Sequence, residues 1–156
     1  MIIKIDDERI KGAIAESILN ELPDWFGIPE STQNYVSECK TMPFWAAFVG
    51  EKPVGFIAMK ETSSHTAEIY VMGVLPEHHL SGIGRKLYGA LESFAGESGH
   101  SFIQVKTVQM GRYAEYDRTN HFYLAMGFKE LECFPTLWDE CNPCQIYVKY
   151  IGDSNA

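Results

Sequence analysis

The sequence predicts an α+β fold: a three-layer α/β arrangement with a central mixed, mostly antiparallel sheet flanked by helices. Three observations carry this. Residues 8–22 and 83–98 repeat apolar side chains at helical spacing. Residues 44–60 change to strand-like runs broken by a Gly-Glu-Lys-Pro turn. Residues 66–108 read as strand, glycine-rich turn, helix and strand, the one β-α-β unit in an otherwise antiparallel order.

Each element has a local reason. "MIIKI" opens as a short strand. Over 8–22, Ile10, Ala13, Ile14, Ile18, Leu19 and Leu22 recur with a helical period, and Pro23 ends the helix. "DWFGIPEST" is a loop containing Gly27 and Pro29, and a second helix follows over 30–39. "FWAAFVGEKPVGFIAMK" makes a hairpin, and "TAEIYVMGVL" is a strand stopped by Pro76. In the next helix, 83–98, Ile83, Leu87, Ala90, Leu91, Phe94 and Ala95 line one face before Gly99. "SFIQVKTV" is a strand, 115–126 a helix ending at Gly127, and "FKELECF" and "CQIYVKY" the last strands, with "PTLWDECNP" as a loop between them. The order is β-α-α-β-β-β-α-β-α-β-β, read as a single domain over 1–150 with a short C-terminal tail at 151–156.

Composition narrows the function classes. With 46% hydrophobic residues the chain can bury a core. A formal net charge of -8 argues against a nucleic-acid partner, which calls for a basic surface. No apolar run approaches the roughly 18 residues that span a bilayer, and "MIIKIDDERIKG" lacks the apolar core of a signal peptide. A soluble, cytoplasmic protein without a membrane partner is expected. Cys141 and Cys144 form a C-x-x-C, but no second such pair and no H-x-x-x-H accompanies it, so the cysteines read as structural and no metal is expected.

The informative stretch is "VLPEHHLSGIGRKL", residues 74–87. Free N–H groups and a partial positive charge at a helix start suit an anion, and Gly82 and Gly84 let the backbone approach it. Arg85 and Lys86 add positive charge, and Leu80 and Ile83 can anchor the turn. Position 87 is Leu, so the G-x-G-x-x-G dinucleotide pattern is absent, as is G-x-x-x-x-G-K-[ST].

This stretch resembles the acetyl-CoA motif of the GNAT superfamily of N-acetyltransferases, V-x-P followed by Q/R-x-x-G-x-G/A. Val74, Pro76, Gly82 and Gly84 match, and His79 stands at the Q/R position. About forty residues on, "TNHFYLAMGFKEL" resembles the family's F-Y-x-x-x-G-F, through Phe122, Tyr123, Gly127 and Phe128. "LPDWFGIPES" and "LWDECNPCQIYVK" look like segments of a bacterial subgroup whose substrates are poorly defined.

The resemblance implies a GNAT-like fold and acetyl transfer from acetyl-CoA to a primary amine of a small, cationic acceptor, without a metal. It implies that Met72, Gly73, Val74, His79, Leu80, Ser81, Gly82, Ile83, Gly84, Arg85, Lys86, Tyr116, Thr119, Phe122 and Tyr123 bind the acetyl-CoA. Tyr123, a phenol protonated at neutral pH, would donate to the departing thiolate. The Val74 N–H would donate to the thioester oxygen, with Gly73 as a strand bulge. Glu68 is a candidate base, raised in pKa if buried, with Glu115, Asp117, Asp139, Glu140 and a water chain as rivals. Trp25, Phe26, Tyr113 and Trp138 could stack on the acceptor, while Asp24, Glu30, Asp139 and Glu140 could bind a cation. His79 beside a phosphate would make affinity fall as pH rises. A catalytically weak acyl-CoA sensor is the alternative function, and a homodimer is an open possibility because dimers are common in that family.

Overall fold

The computed structural model describes residues 1–153; of the expected tail, 154–156 lie outside the described residues. The elements are β1 (Ile2–Lys4), α1 (Glu8–Leu19), α2 (Pro29–Cys39), β2 (Phe44–Val49), β3 (Lys52–Glu61), β4 (Thr66–Val74), α3 (Ile83–Glu97), β5 (Phe102–Val108), α4 (Ala114–Ala125), β6 (Lys129–Asp139) and β7 (Asn142–Tyr150). This is the expected order, with a 3-10 turn at Pro76–His78 added after β4. The strands form one seven-stranded sheet, ordered β1-β2-β3-β4-β5-β7-β6. Among the described residues only β4 and β5 pair in parallel, as a β-α-β crossover requires.

Helices cover both faces. A Cβ on Gly73 would lie 2.9 Å from Leu22 and 3.2 Å from Ile18, so α1 packs directly on that position. Its neighbours Met72 and Val74 point the other way, towards Gly84 and Leu87 of α3. The core between the layers includes the fully buried Ile18, Leu19, Phe44, Phe56, Ile57, Leu87, Leu91 and Ile103.

Three local features differ from the sequence reading. Helix α1 ends at Leu19, and Glu21 and Leu22 continue only as turns. The bulge in β4 is at Tyr70 and not at Gly73: Ala58 pairs with Val71 and Met59 with Ile69, whereas Gly73 stays in register with Phe56. Gly73 is small because α1 presses on it. The third feature is the segment expected as a loop between the last strands. Strands β6 and β7 reach almost to the turn, but residues 135–138 arch out opposite Pro143, between the pairs Phe134–Cys144 and Asp139–Asn142. Proline has no N–H for the ladder, so the partner strand leaves it there.

At the chain's far end, the Ile151 N–H donates to Ser101 O at 2.8 Å, and Asp153 accepts from the Ser101 and Tyr150 hydroxyls. Residues 151–153 are therefore tied to the sheet.

Candidate active site

The site begins where two strands part. β4 and β5 pair from Thr66–Phe102 to Ile69–Val105 and no further, although β5 goes on to Val108 beside β7. Residues 70–74 thus face an open gap. The ladder to β3 decides which groups face it. The Leu75 N–H donates to Val54 O, so the adjacent Val74–Gly55 pair is a non-hydrogen-bonded one. The N–H and C=O of Val74, and by the same alternation those of Met72, point into the gap.

The turn after β4 brings a positive helix end to the same place. Gly82 has φ of +86° with open space where a Cβ would be, and Leu80 is also left-handed, with φ of +61°. The first intrahelical donor of α3 is Lys86, whose N–H reaches Gly82 O at 3.1 Å. The N–H groups of Ile83, Gly84 and Arg85 precede it and have no helical acceptor. Arg85 and Lys86 are exposed beside them, and the Ser81 hydroxyl is turned back onto His78 O. A Cβ on Gly84 would stand 3.2 Å from the Phe122 ring, so this glycine lets α4 approach α3.

His79 does something the sequence did not suggest. Its Nε2 lies 2.7 Å from Val74 O, and its ring meets Trp25 edge-on at 5.7 Å. The imidazole that was expected at a phosphate braces the end of β4.

Tyr123 projects from α4 among Phe122, Phe128 and Tyr147. Burial, then the neighbouring Tyr116 and Tyr35, raise its phenol well above the ordinary tyrosine value. No described group hydrogen-bonds its hydroxyl, and that hydroxyl is not sealed from solvent. Asn120, fully buried one turn earlier, fixes α4: its amide donates to Val108 O and Tyr116 O, and it accepts from the Tyr147 hydroxyl.

On the opposite face lies an open cavity of about 310 Å³, lined in part by Tyr35, Glu38, Lys60, Glu68, Tyr70, Lys106 and Trp138. Glu68 is buried, and its Oε1 takes both partners, Gln104 at 2.7 Å and Lys106 at 3.3 Å. Its Oε2 has no partner among the described residues. The Tyr70 bulge separates the strand's two ends, so Glu68 and Tyr70 line this cavity while Met72 and Val74 lie on the α3 side. Strict alternation would have put all four on one face.

The expected aromatic wall is only partly on the cavity. Trp138 lines it, carried there by the arch opposite Pro143. Trp25 instead bridges layers: its Nε1 donates to Glu115 O and Thr119 Oγ1, and its carbonyl accepts from Tyr116. Burial first, then Tyr35, Glu115 and Tyr113, push the Tyr116 phenol up to about 12, and the Thr119 hydroxyl that accepts from Trp25 donates to Glu115 O. Phe26 packs edge-on against Tyr35, and the Tyr113 hydroxyl donates to Cys141 O. The rival carboxylates Asp117 and Asp139 accept from the backbone N–H groups of Gly111 and Cys141, which makes them turn braces. Cys144 is buried beside Lys106, and burial pushes its thiol up to about 11.

Residues 14–128 match the acetyltransferase (GNAT) family. The chain belongs to that family. Among its relatives is a protein of Bacillus subtilis, YsnE, termed an uncharacterized N-acetyltransferase. It is 26% identical over 148 residues, covering 91% of this chain and 95% of that one. Among solved structures, a protein of Desulfovibrio desulfuricans assigned to the GNAT family superposes with a TM-score of 0.82 at 17% identity, covering 97% and 99% of the two chains. An aminoglycoside 6'-N-acetyltransferase complexed with coenzyme A gives 0.79 at 18%, covering 97% of each. At these identities the superpositions establish the GNAT fold. Among the described residues no helix is long and apolar enough to cross a membrane, and no group of side chains could hold a metal ion.

The sequence reading missed Tyr35, Glu38, Gln104, Lys106 and Asn120. One signal was available for the strand residues. In "SFIQVKTV", Ile103, Val105 and Thr107 alternate with Gln104 and Lys106, which gives a central strand one polar face.

Proposed function

We propose that this GNAT-family chain is an acetyl-CoA-dependent N-acetyltransferase acting on a primary amine of a small acceptor. The observation that carries this is the parting of β4 and β5 beyond Ile69–Val105, which leaves Val74 and Met72 N–H groups facing a gap. The resolved coenzyme A complex of an aminoglycoside N-acetyltransferase with this fold supports the cofactor and the amine acceptor.

The residues fit the group. Gly82 leaves empty the space where a Cβ would stand, and the Ile83, Gly84 and Arg85 N–H groups with Arg85 and Lys86 suit a diphosphate. Acetyl-CoA, when bound, supplies a thioester whose carbonyl carbon an amine can attack. Met72 and Val74 orient the arm, and the Val74 N–H donates to the carbonyl oxygen as it gains charge. Glu68, six strand residues from Val74 in β4, takes the proton from the amine nitrogen through intervening water as the nitrogen–carbon bond forms and the carbon–sulfur bond breaks. Tyr123 donates a hydrogen bond to the leaving sulfur. Its raised pKa exceeds the roughly 8.5 of an ordinary thiol, so the phenol keeps its proton and stabilises the thiolate without surrendering it.

The test is to incubate the purified protein with acetyl-CoA and a panel of amines, and to follow free thiol release while measuring acetyl-CoA affinity by calorimetry. Thiol release that depends on the amine is expected. Tight acetyl-CoA binding with no transfer to any amine would replace the enzyme with an acyl-CoA sensor.

A further inference from the structure

The acceptor cavity carries a charge pattern that narrows the substrate class, and this inference rests on the transferase reading above. The chain has a net charge of -8 and only 13 lysines and arginines, yet two lysines stand in this one cavity. Lys106 is neutralised by Glu68 at 3.3 Å. Lys60 is different. Its Nζ sits 5.8 Å from the centroid of the Tyr70 ring, and it has no ion-pair partner among the described residues. The same Tyr70 donates its hydroxyl to Glu38, whose carboxylate also lacks a cationic partner among the described residues. One aromatic side chain therefore separates an unneutralised ammonium from an unneutralised carboxylate.

The cavity as a whole holds two carboxylates and two ammonium groups, so it is formally neutral. A site for a polycation would leave its carboxylates in excess, and Lys60 would repel such a ligand. The cavity, about 310 Å³ and open to solvent, has room for a molecule of amino-acid size. Tyr35, Tyr70 and Trp138 supply apolar walls.

We propose that the acceptor is a small amine that also carries a carboxylate, an amino acid with an apolar side chain, held by its carboxylate at Lys60 with its amine directed to Glu68. Lys60 is thus a specificity-determining residue. In the reaction the amine first sheds its ammonium proton to solvent; the nitrogen then gains the acetyl group and loses its second proton to Glu68, the carbon–sulfur bond breaks, and coenzyme A leaves as the thiolate and takes a proton from solvent. The products are an N-acetylamino acid and the free thiol.

The experiment pairs each amino acid with the amine that lacks only its carboxylate: leucine with isoamylamine and phenylalanine with phenethylamine, with spermidine and kanamycin as polycations. Turnover is read by thiol release, and binding to the acetyl-CoA-loaded protein is read separately by calorimetry. The carboxylate-bearing member is expected to be preferred by about tenfold or more, the effect of one charged hydrogen bond. Lys60→Met is expected to bring that ratio close to one. Lys60 is exposed, so the variant should fold, and a circular dichroism melt checks it. Equal use of both members, preference for a polycation, no binding of any amine, or a preference that persists in Lys60→Met would each overturn the proposal. A carboxylate preference in binding without turnover would uphold it and overturn the transferase reading instead. Turnover of plain amines without preference would do the reverse.

Discussion

The Nε2 of His79 donates to the carbonyl oxygen of Val74 at 2.7 Å, which ties the residue before the glycine turn to the last residue of β4. Both the neutral Nε2–H tautomer and the imidazolium can make this bond. His79→Ala removes the bond and the Trp25 contact. A loss of about 1 kcal/mol is expected, lowering Tm by roughly 2–4 °C for a chain of this size. Binding should weaken with it, since the end of β4 loses the bond that holds the Val74 carbonyl. His79→Gln keeps a donor and should recover most of both. A thermal melt and a titration with acetyl-CoA check this, and an affinity lost in His79→Ala with the Tm unchanged would return His79 to the phosphate.

Gly82 and Gly84 should fail for different reasons. At Gly82 an added Cβ meets nothing, and only the left-handed backbone objects. Gly82→Ala should fold with a penalty of about 1–2 kcal/mol while losing acetyl-CoA affinity at least tenfold, because the ligand's diphosphate needs the empty space. At Gly84 the Cβ meets Phe122 at 3.2 Å. Gly84→Ala should displace α4 and lower kcat as well as affinity. Calorimetry on both variants separates the two, and unchanged affinity in Gly82→Ala would remove the diphosphate from this turn.

The contrast between these glycines marks what the sequence could disclose. Helix periodicity, Pro23, Pro76, Gly99 and Gly127 are local signals, and from them the element order was legible. The G-x-G turn and the F-Y-x-x-x-G-F motif placed Gly82 and Tyr123. What was not legible depends on register between strands distant in the chain. The bulge at Tyr70 exists only in the pairing of β3 with β4, and it decides that Glu68 leaves the face of Met72 and Val74. The Glu68–Lys106–Gln104 cluster likewise needs β4 and β5 aligned at Glu68–Gln104. Trp25 looked like a stacking residue because its indole N–H partners, Glu115 O and Thr119, lie 90 and 94 residues away. Pro143, read as the last residue of a loop, instead lies in β7, where it offers no N–H to the ladder; residues 135–138 arch away opposite it and carry Trp138 to the cavity.

The tyrosines should make the protein sensitive to alkali. Burial raises Tyr123 and Tyr88 well above their ordinary value of 10.0, and holds Tyr116 near 12. The folded state therefore keeps protons that the unfolded chain releases. Stability from these groups is complete below about pH 10 and declines as pH rises through 10 towards 12 and beyond. Tyrosinate absorbance should rise together with loss of helical circular dichroism. Tyr116→Phe should flatten the decline. Independent titration of most tyrosines near pH 10, in a protein still folded, would refute this.

Tyr123→Phe tests the hydrogen bond to sulfur. The hydroxyl has no protein partner to lose, so the variant should melt close to the parent. The bond to a thiolate exists only as the sulfur departs, so kcat should fall about 10- to 100-fold while acetyl-CoA affinity changes little. Affinity falling in parallel with kcat would place the hydroxyl in ground-state binding. Acceptors that give a slower chemical step should show the larger loss.

Glu68→Gln addresses the proton. The amide can still accept from Gln104, so the contact between β4 and β5 survives, but the charge facing Lys106 is gone. If Oε2 receives the amine proton, kcat should fall about 100-fold, the low end for a positioned base. Acetyl-CoA affinity should hold, because Glu68 lies on the cavity side and not at the glycine turn. Lys106→Met supplies the control for position: it leaves the carboxylate in place without its ion pair, so its effect on kcat should be smaller. A Glu68→Gln protein within threefold of the parent would assign proton removal to a water chain that does not end on Glu68, and would reduce Glu68 to the anchor that holds Lys106.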